Sequence, residues 1–124
     1  SYVERHGAPK DLADMANHFF VGADDPNSRA PFMRWMREHI PAENIVFRSG
    51  DFHALRRAII EGAGIGFMFQ LQARELDDMV EILPPQDDWT SPLWLVTHMD
   101  LHRTTKVQAF LTVLKEAAKE WENI

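Results

Sequence analysis

The 124-residue chain, 14.3 kDa with 45% hydrophobic and 26% charged residues, has the composition of one folded domain rather than of a disordered or fibrous segment. Thirteen Lys plus Arg against 19 Asp plus Glu give a formal charge of −6, which argues against nucleic-acid binding by this chain itself, because phosphates would approach a net negative field. Zero cysteines exclude a disulfide scaffold, a thiolate metal site and a cysteine nucleophile; no apolar run approaches the roughly 18 residues of a membrane span, and residues 1–11 hold no signal-peptide core.

Residues 1–9 read as a polar entry. Over residues 10–17, Leu12, Ala13, Met15 and Ala16 cover one side of a short helix. His18-Phe19-Phe20-Val21-Gly22 is a short apolar run before the turn formers Asp24-Asp25-Pro26-Asn27-Ser28, which predicts a buried strand ending in a loop. Pro31 is placed as the first residue of a helix with Phe32, Trp35, Met36 and Ile40 on one face, and Pro41 stops it. Residues 44–49 are the next strand, and Asp51 caps a helix whose Leu55, Ala58 and Ile59 recur at i, i+3 and i+4. Gly62 and Gly64 end that helix. Residues 65–69, a continuous apolar stretch too short for a helix, suit a strand buried on both faces of a parallel sheet.

A helix near residues 73–79, a short run over 80–83 and the loop 84–88 follow. Leu93-Trp94-Leu95-Val96-Thr97 reads as a last strand. The closing helix carries Val107, Phe110, Leu111, Leu114, Ala117, Ala118 and Trp121 on one face, with Lys106, Gln108, Lys115, Glu116, Lys119, Glu120 and Glu122 opposite. Alternation of this kind predicts an α/β fold with a mainly parallel sheet flanked by helices, in which ligands bind beyond the carboxyl ends of the strands. Three such ends are Gly22-Ala23, Ser49-Gly50 and Phe69-Gln70.

Motifs that carry chemistry in other proteins have plainer readings here. Gly62-Ala63-Gly64-Ile65-Gly66 has the look of a phosphate loop but follows a helix and precedes a strand, the reverse of the order that presents a helix amino end to pyrophosphate. A helix stop with tight helix-strand packing is expected instead. His98 and His102 stand at i, i+4 between a strand and a helix, where solvated loop histidines are expected rather than a metal site. Asp77-Asp78 and Asp87-Asp88 project apart as sequence neighbours and lack the apolar setting that acid–base work needs. Ser49 and His53 lack a nucleophile elbow, and Asp51 is explained as a cap. Neither catalysis nor a bound cofactor or metal is expected. Phe20, Phe47, Phe67 and Phe69 are expected mostly in the core, with those at strand ends available to line a pocket.

Taken in order, Ser1-Tyr2-Val3-Glu4-Arg5-His6-Gly7-Ala8-Pro9, Asp11-Leu12, Phe47-Arg48-Ser49-Gly50-Asp51 with Leu55 and Ala58, and Glu61-Gly62-Ala63-Gly64-Ile65-Gly66 resemble the effector-binding domain of LysR-type transcriptional regulators. Leu83-Pro84, Pro92-Leu93-Trp94-Leu95-Val96 and Val107-Gln108-Ala109-Phe110-Leu111 extend the resemblance over nearly the whole chain. Phe69 departs from the pattern, which often has proline after the Gly-Ile strand.

The resemblance implies a periplasmic-binding-protein-like fold of type 2, with residues 1–91 as the second regulatory subdomain. Residues 92–124 would be the crossover strand and carboxyl-terminal helix that return to the first. It implies a small-molecule effector, a carboxylate or aromatic acid, in a cleft between subdomains, with Gly22, Ser49, Gly50, Phe52, Phe69, Thr97 and His98 as effector-binding residues. Ser49 and the backbone amides of residues 50–52, at a helix amino end, would hold an anion while Phe52 and Phe69 supply apolar walls. DNA would be read by a winged helix-turn-helix that, with its linker helix and the first half of the first subdomain, lies outside this chain; the setting would be cytoplasmic, with no membrane partner. A solute-binding protein of transport shares the fold and would carry an export signal, whereas a small α/β enzyme would need a convergent acid, base or metal site that the sequence lacks.

The last helix adds a physical expectation. Val107, Phe110, Leu111, Leu114 and Trp121 are worth about 1.5–3 kcal/mol each on burial, so a wet face would forgo on the order of 10 kcal/mol, and a homo-oligomer, a dimer or larger, is expected to cover it.

Overall fold

A computed structural model describes residues 2–122; Ser1, Asn123 and Ile124 lie outside the described residues, as does the side chain of Glu122, which the sequence places on the polar face of the last helix. Contacts divide the chain into two units, residues 1–91 and 92–124.

In the first unit a helix, α1 (Tyr2–His6), stands where the sequence predicts only a polar entry. Five residues are too few to hold a helix by propensity, and α1 is held by anchors far along the chain. Tyr2 is buried and hydrogen-bonded to the start of the next strand, His6 stacks on Tyr2, and Arg5 donates to the Gly62 carbonyl. The helix predicted over residues 10–17 is reduced to a 3-10 turn, Asp14–Asn17. Its cause is local competition: the Asp14 carboxylate accepts the Lys10 N–H and the Asp11 carboxylate accepts the Asp14 N–H, offering the backbone a turn in place of a helix.

The strands and helices that follow make a strand-helix-strand unit. β1 (Phe20–Gly22) and β2 (Ile45–Arg48) pair in parallel, Phe20 with Ile45, Val21 with Phe47 and Gly22 with Arg48, leaving Val46 as the extra residue of a bulge. Between them runs α2 (Pro31–His39), opened by Pro31 and closed before Pro41 as its prolines predict. From β2, α3 (Phe52–Ile60) leads to residues 65–69 on the other side of β1. Phe20 joins Met15, Met36 and Ile40 in one buried cluster and Val21 joins Met33 and Leu55 in another, as adjacent strand residues on opposite faces must.

The third segment departs from expectation. Ile65 forms a single parallel bridge with Phe20, its N–H donating to the Phe19 carbonyl at 2.9 Å and its carbonyl accepting the Val21 N–H at 2.8 Å. Residues 65–68 are only half-buried and Phe69 is exposed, not covered on both faces. With no further strand on its outer edge among the described residues, the segment has nothing to extend a ladder against. Phe47 is likewise exposed rather than core, because β2 is an edge strand.

The glycine run ends α3 and brings the third segment close. Gly62 takes a φ of 76°, Ala63 N–H bonds the Ala58 carbonyl at 2.9 Å and Gly62 N–H the Ile59 carbonyl at 3.0 Å, the paired bonds of a Schellman stop. A Cβ on Gly64 would stand 3.0 Å from the Phe19 oxygen, so only glycine lets the two backbones approach.

Beyond it, α4 (Gln70–Ala73) replaces the helix predicted near 73–79. Glu75, Asp77 and Asp78 would have placed acids at the carboxyl end of that longer helix, against its dipole. Residues 80–83 form no strand, and a 3-10 turn, Asp87–Trp89, sits within the predicted loop and just past it.

In the second unit the strand predicted over residues 93–97 does not form; Trp94 is 80% and Val96 86% exposed, and an isolated strand has no ladder to stabilise it. α5 (Thr105–Glu122) follows the predicted pattern in part. Leu111 is buried and Val107, Leu114, Ala117, Ala118 and Trp121 are half-buried, but Phe110 is exposed. No helix among the described residues is long and apolar enough to cross a membrane.

Candidate functional site

In parallel strand-helix units each helix begins where a strand ends, so the first residues of successive helices gather along one edge of the sheet. Phe32 is the second residue of α2, Phe52 the first of α3, and Phe69 immediately precedes α4 at the end of the third segment. Their rings meet in a near-regular triangle, with centroids 6.5 Å apart for Phe32 and Phe52, 6.4 Å for Phe32 and Phe69, and 6.4 Å for Phe52 and Phe69. Those separations lie in the favourable range for aromatic pairs. Phe67 continues the wall 5.4 Å from Phe32, and Trp35 and Trp89 both meet Phe67 edge-on.

These aromatics line a concavity of about 890 Å³ within the first unit, a size that suits a small molecule. Phe52 and Phe69 remain 55% and 57% exposed. Polar side chains also line it, among them His53, Arg74, Asp78 and Glu81. Trp89 Nε1 is buried without a hydrogen-bond partner among the described residues, and Arg56 of α3 lines the concavity half-buried.

The strand ends beside the triangle are tied together through backbone. The Gly22 carbonyl accepts the Ser49 N–H at 3.1 Å, and the Asp24 N–H donates to the Ser49 carbonyl at 3.4 Å. Ser49 Oγ accepts the Asp51 N–H at 3.1 Å, and the Asp51 carboxylate accepts the His53 N–H at 2.8 Å. The Asp24 carboxylate oxygens lie 3.1 and 3.3 Å from the point where a Cβ would stand on Gly50. The amino end of α3 therefore already faces two carboxylates of its own chain, which oppose an incoming anion there.

Of the residues singled out from sequence, the structure brings Phe52 to Phe69 and gathers Gly22, Ser49 and Gly50 at adjoining strand ends. Thr97 and His98 belong to the second unit, where Thr97 Oγ1 lies 3.1 Å from His102 Nδ1 and His98 Nδ1 accepts the Asp100 N–H at 3.2 Å. Sequence reasoning assigned Phe32 and Trp35 to a helix core face and passed over Asp24 and Trp89. Phe32 was findable: an aromatic at the start of a helix that follows a strand belongs to the same sheet edge as Phe52. Trp89 offered no such signal, because it reaches the cluster from a short 3-10 turn that no periodic pattern announces.

Over residues 2–119 the chain matches the family model described as the LysR substrate binding domain. No match emerges among curated proteins or among solved structures. The domains of that family are regulatory rather than enzymatic and imply a periplasmic-binding-protein-like fold, with which an α/β unit built on a small parallel sheet agrees. Matched over nearly its full length, this chain belongs to the LysR substrate-binding domain family.

Proposed function

We propose that this chain senses a small-molecule effector on behalf of a LysR-type transcriptional regulator, seating it at the carboxyl ends of β1, β2 and the third segment. The observation that carries the reading is the phenylalanine triangle: two of its rings are more than half exposed on the wall of a concavity. Leaving each half-wet forgoes on the order of 1 kcal/mol of burial that an apolar ligand restores. Phe32, Phe52 and Phe69 take the effector's apolar part, while Ser49, whose Oγ accepts from Asp51, still has a proton to donate.

In this reading residues 1–91 are the second regulatory subdomain and residues 92–124 the crossover segment and return helix of the first. The chain works in the cytoplasm as a homo-oligomer and touches DNA only through a helix-turn-helix domain elsewhere in the regulator. Effector binding acts by favouring one arrangement of the regulator over another, so its influence is bounded by its differential affinity for the two.

A thermal-shift screen against small carboxylates, amino acids and aromatic acids tests this. A true effector raises the midpoint saturably, by about 2.7 kcal/mol of stability at 100 times Kd, and Phe52→Ala removes the rise. A panel of that breadth without one saturable shift would sink the sensor reading.

A further inference from the structure

We infer that Arg56 is the anion anchor of this concavity and that the effector is an aromatic carboxylate, its ring against Phe32, Phe52 and Phe69 and its carboxylate on the Arg56 guanidinium. The inference rests on the sensor reading and sharpens it. Phe52 and Arg56 stand at i and i+4 on α3, hence on one helix face, and both line the concavity. Four residues separate them, a rise of about 6 Å along the axis, a span that a single arene carboxylate bridges.

Arg56 is half-buried and its side chain forms no hydrogen bond or ion pair among the described residues. The adjacent Arg57 differs on each count, being exposed and paired with Glu61. Asp78 and Glu81 line the same concavity without pairing to Arg56. An arginine on a half-buried position with no counter-charge has its planar fork free, and that fork matches a carboxylate through two parallel hydrogen bonds. The competing place for an anion, the amino end of α3, holds the Asp51 cap and the Asp24 carboxylate. Arg74 also lines the concavity but is exposed, whereas Arg56 is half-buried and shares a helix face with Phe52, so in a chain of net charge −6 Arg56 is where a carboxylate is held.

Benzoate and phenylacetate, each beside its primary amide, discriminate the roles when titrated into the chain by calorimetry. The acids are expected to bind at least about tenfold tighter than the amides, which match them in shape but lack charge. Arg56→Gln should abolish the advantage of acid over amide, with an unchanged circular-dichroism spectrum and denaturant midpoint showing the variant to be folded; Arg56→Lys should fall between, and Phe52→Ala should weaken acid and amide alike. Equal binding of acid and amide overturns the anchor, as does acid selectivity that survives Arg56→Gln or is lost in Ser49→Ala instead. Saturable binding only by non-aromatic members of the wider panel overturns the aromatic carboxylate while sparing the sensor reading. Silence across the whole panel overturns both.

Discussion

The hydroxyl of Tyr2 makes two connections at once: it accepts the Phe19 N–H at 2.9 Å and stands 3.0 Å from His18 Nδ1. His18 Nε2 in turn lies 3.7 Å from the Asp14 carboxylate. Tyr2→Phe strips a buried amide and a buried ring nitrogen of their partner together and is expected to cost about 1–3 kcal/mol in urea unfolding. Asp14 has its carboxyl held below the ordinary range by the Lys10 N–H first, then by the Asn17 amide and the charge of His18. A carboxyl with a lower pKa folded than unfolded stabilises fully above its unfolded value, near 3.9, and loses that contribution as pH falls through the folded value. The stability gap between the native chain and Asp14→Asn should be full well above pH ~4 and shrink as pH falls below it; a gap that widens with acid would refute the assignment.

At the level of elements, α3 has both ends written in adjacent residues. Asp51→Ala removes the side chain that accepts the His53 N–H and should lower stability by about 1 kcal/mol. Gly62→Ala forces a side chain into a φ of 76° and should cost about as much, whereas Leu55→Ala, in the buried cluster with Val21 and Met33, should cost about 2–5 kcal/mol. Denaturant midpoints of the three variants check this ranking. Helix ends of this kind are legible because capping and φ preferences act within a few residues. The third segment and residues 93–97 were not legible in the same way: both are apolar enough for strands, but a strand exists only when another backbone lies beside it, and apolar composition does not say whether one does.

Over the whole chain, exposed apolar side chains include Phe52 and Phe69 of the first unit and, in the second, Trp94, Val96 and Phe110. Light scattering is expected to give a mass above the 14.3 kDa of one chain, falling toward it when Trp94→Ser and Val96→Thr are combined. A mass that stays at one chain across concentrations would show that this surface serves no self-association.

The succession β1-α2-β2-α3, the stops at Pro41 and Gly62 and the cap at Asp51 could be read from neighbouring residues, because periodicity, ring closure and side-chain capping are local forces. Phe52 and Phe69 could be named from the rule that ligands gather at strand ends. Their convergence with Phe32 at 6.4–6.5 Å could not, nor could the place of Trp89 beside Phe67 or of Asp24 against Gly50. These meetings depend on which strand lies beside β1 and how far each helix start is carried round the sheet edge, and no interaction between sequence neighbours sets either.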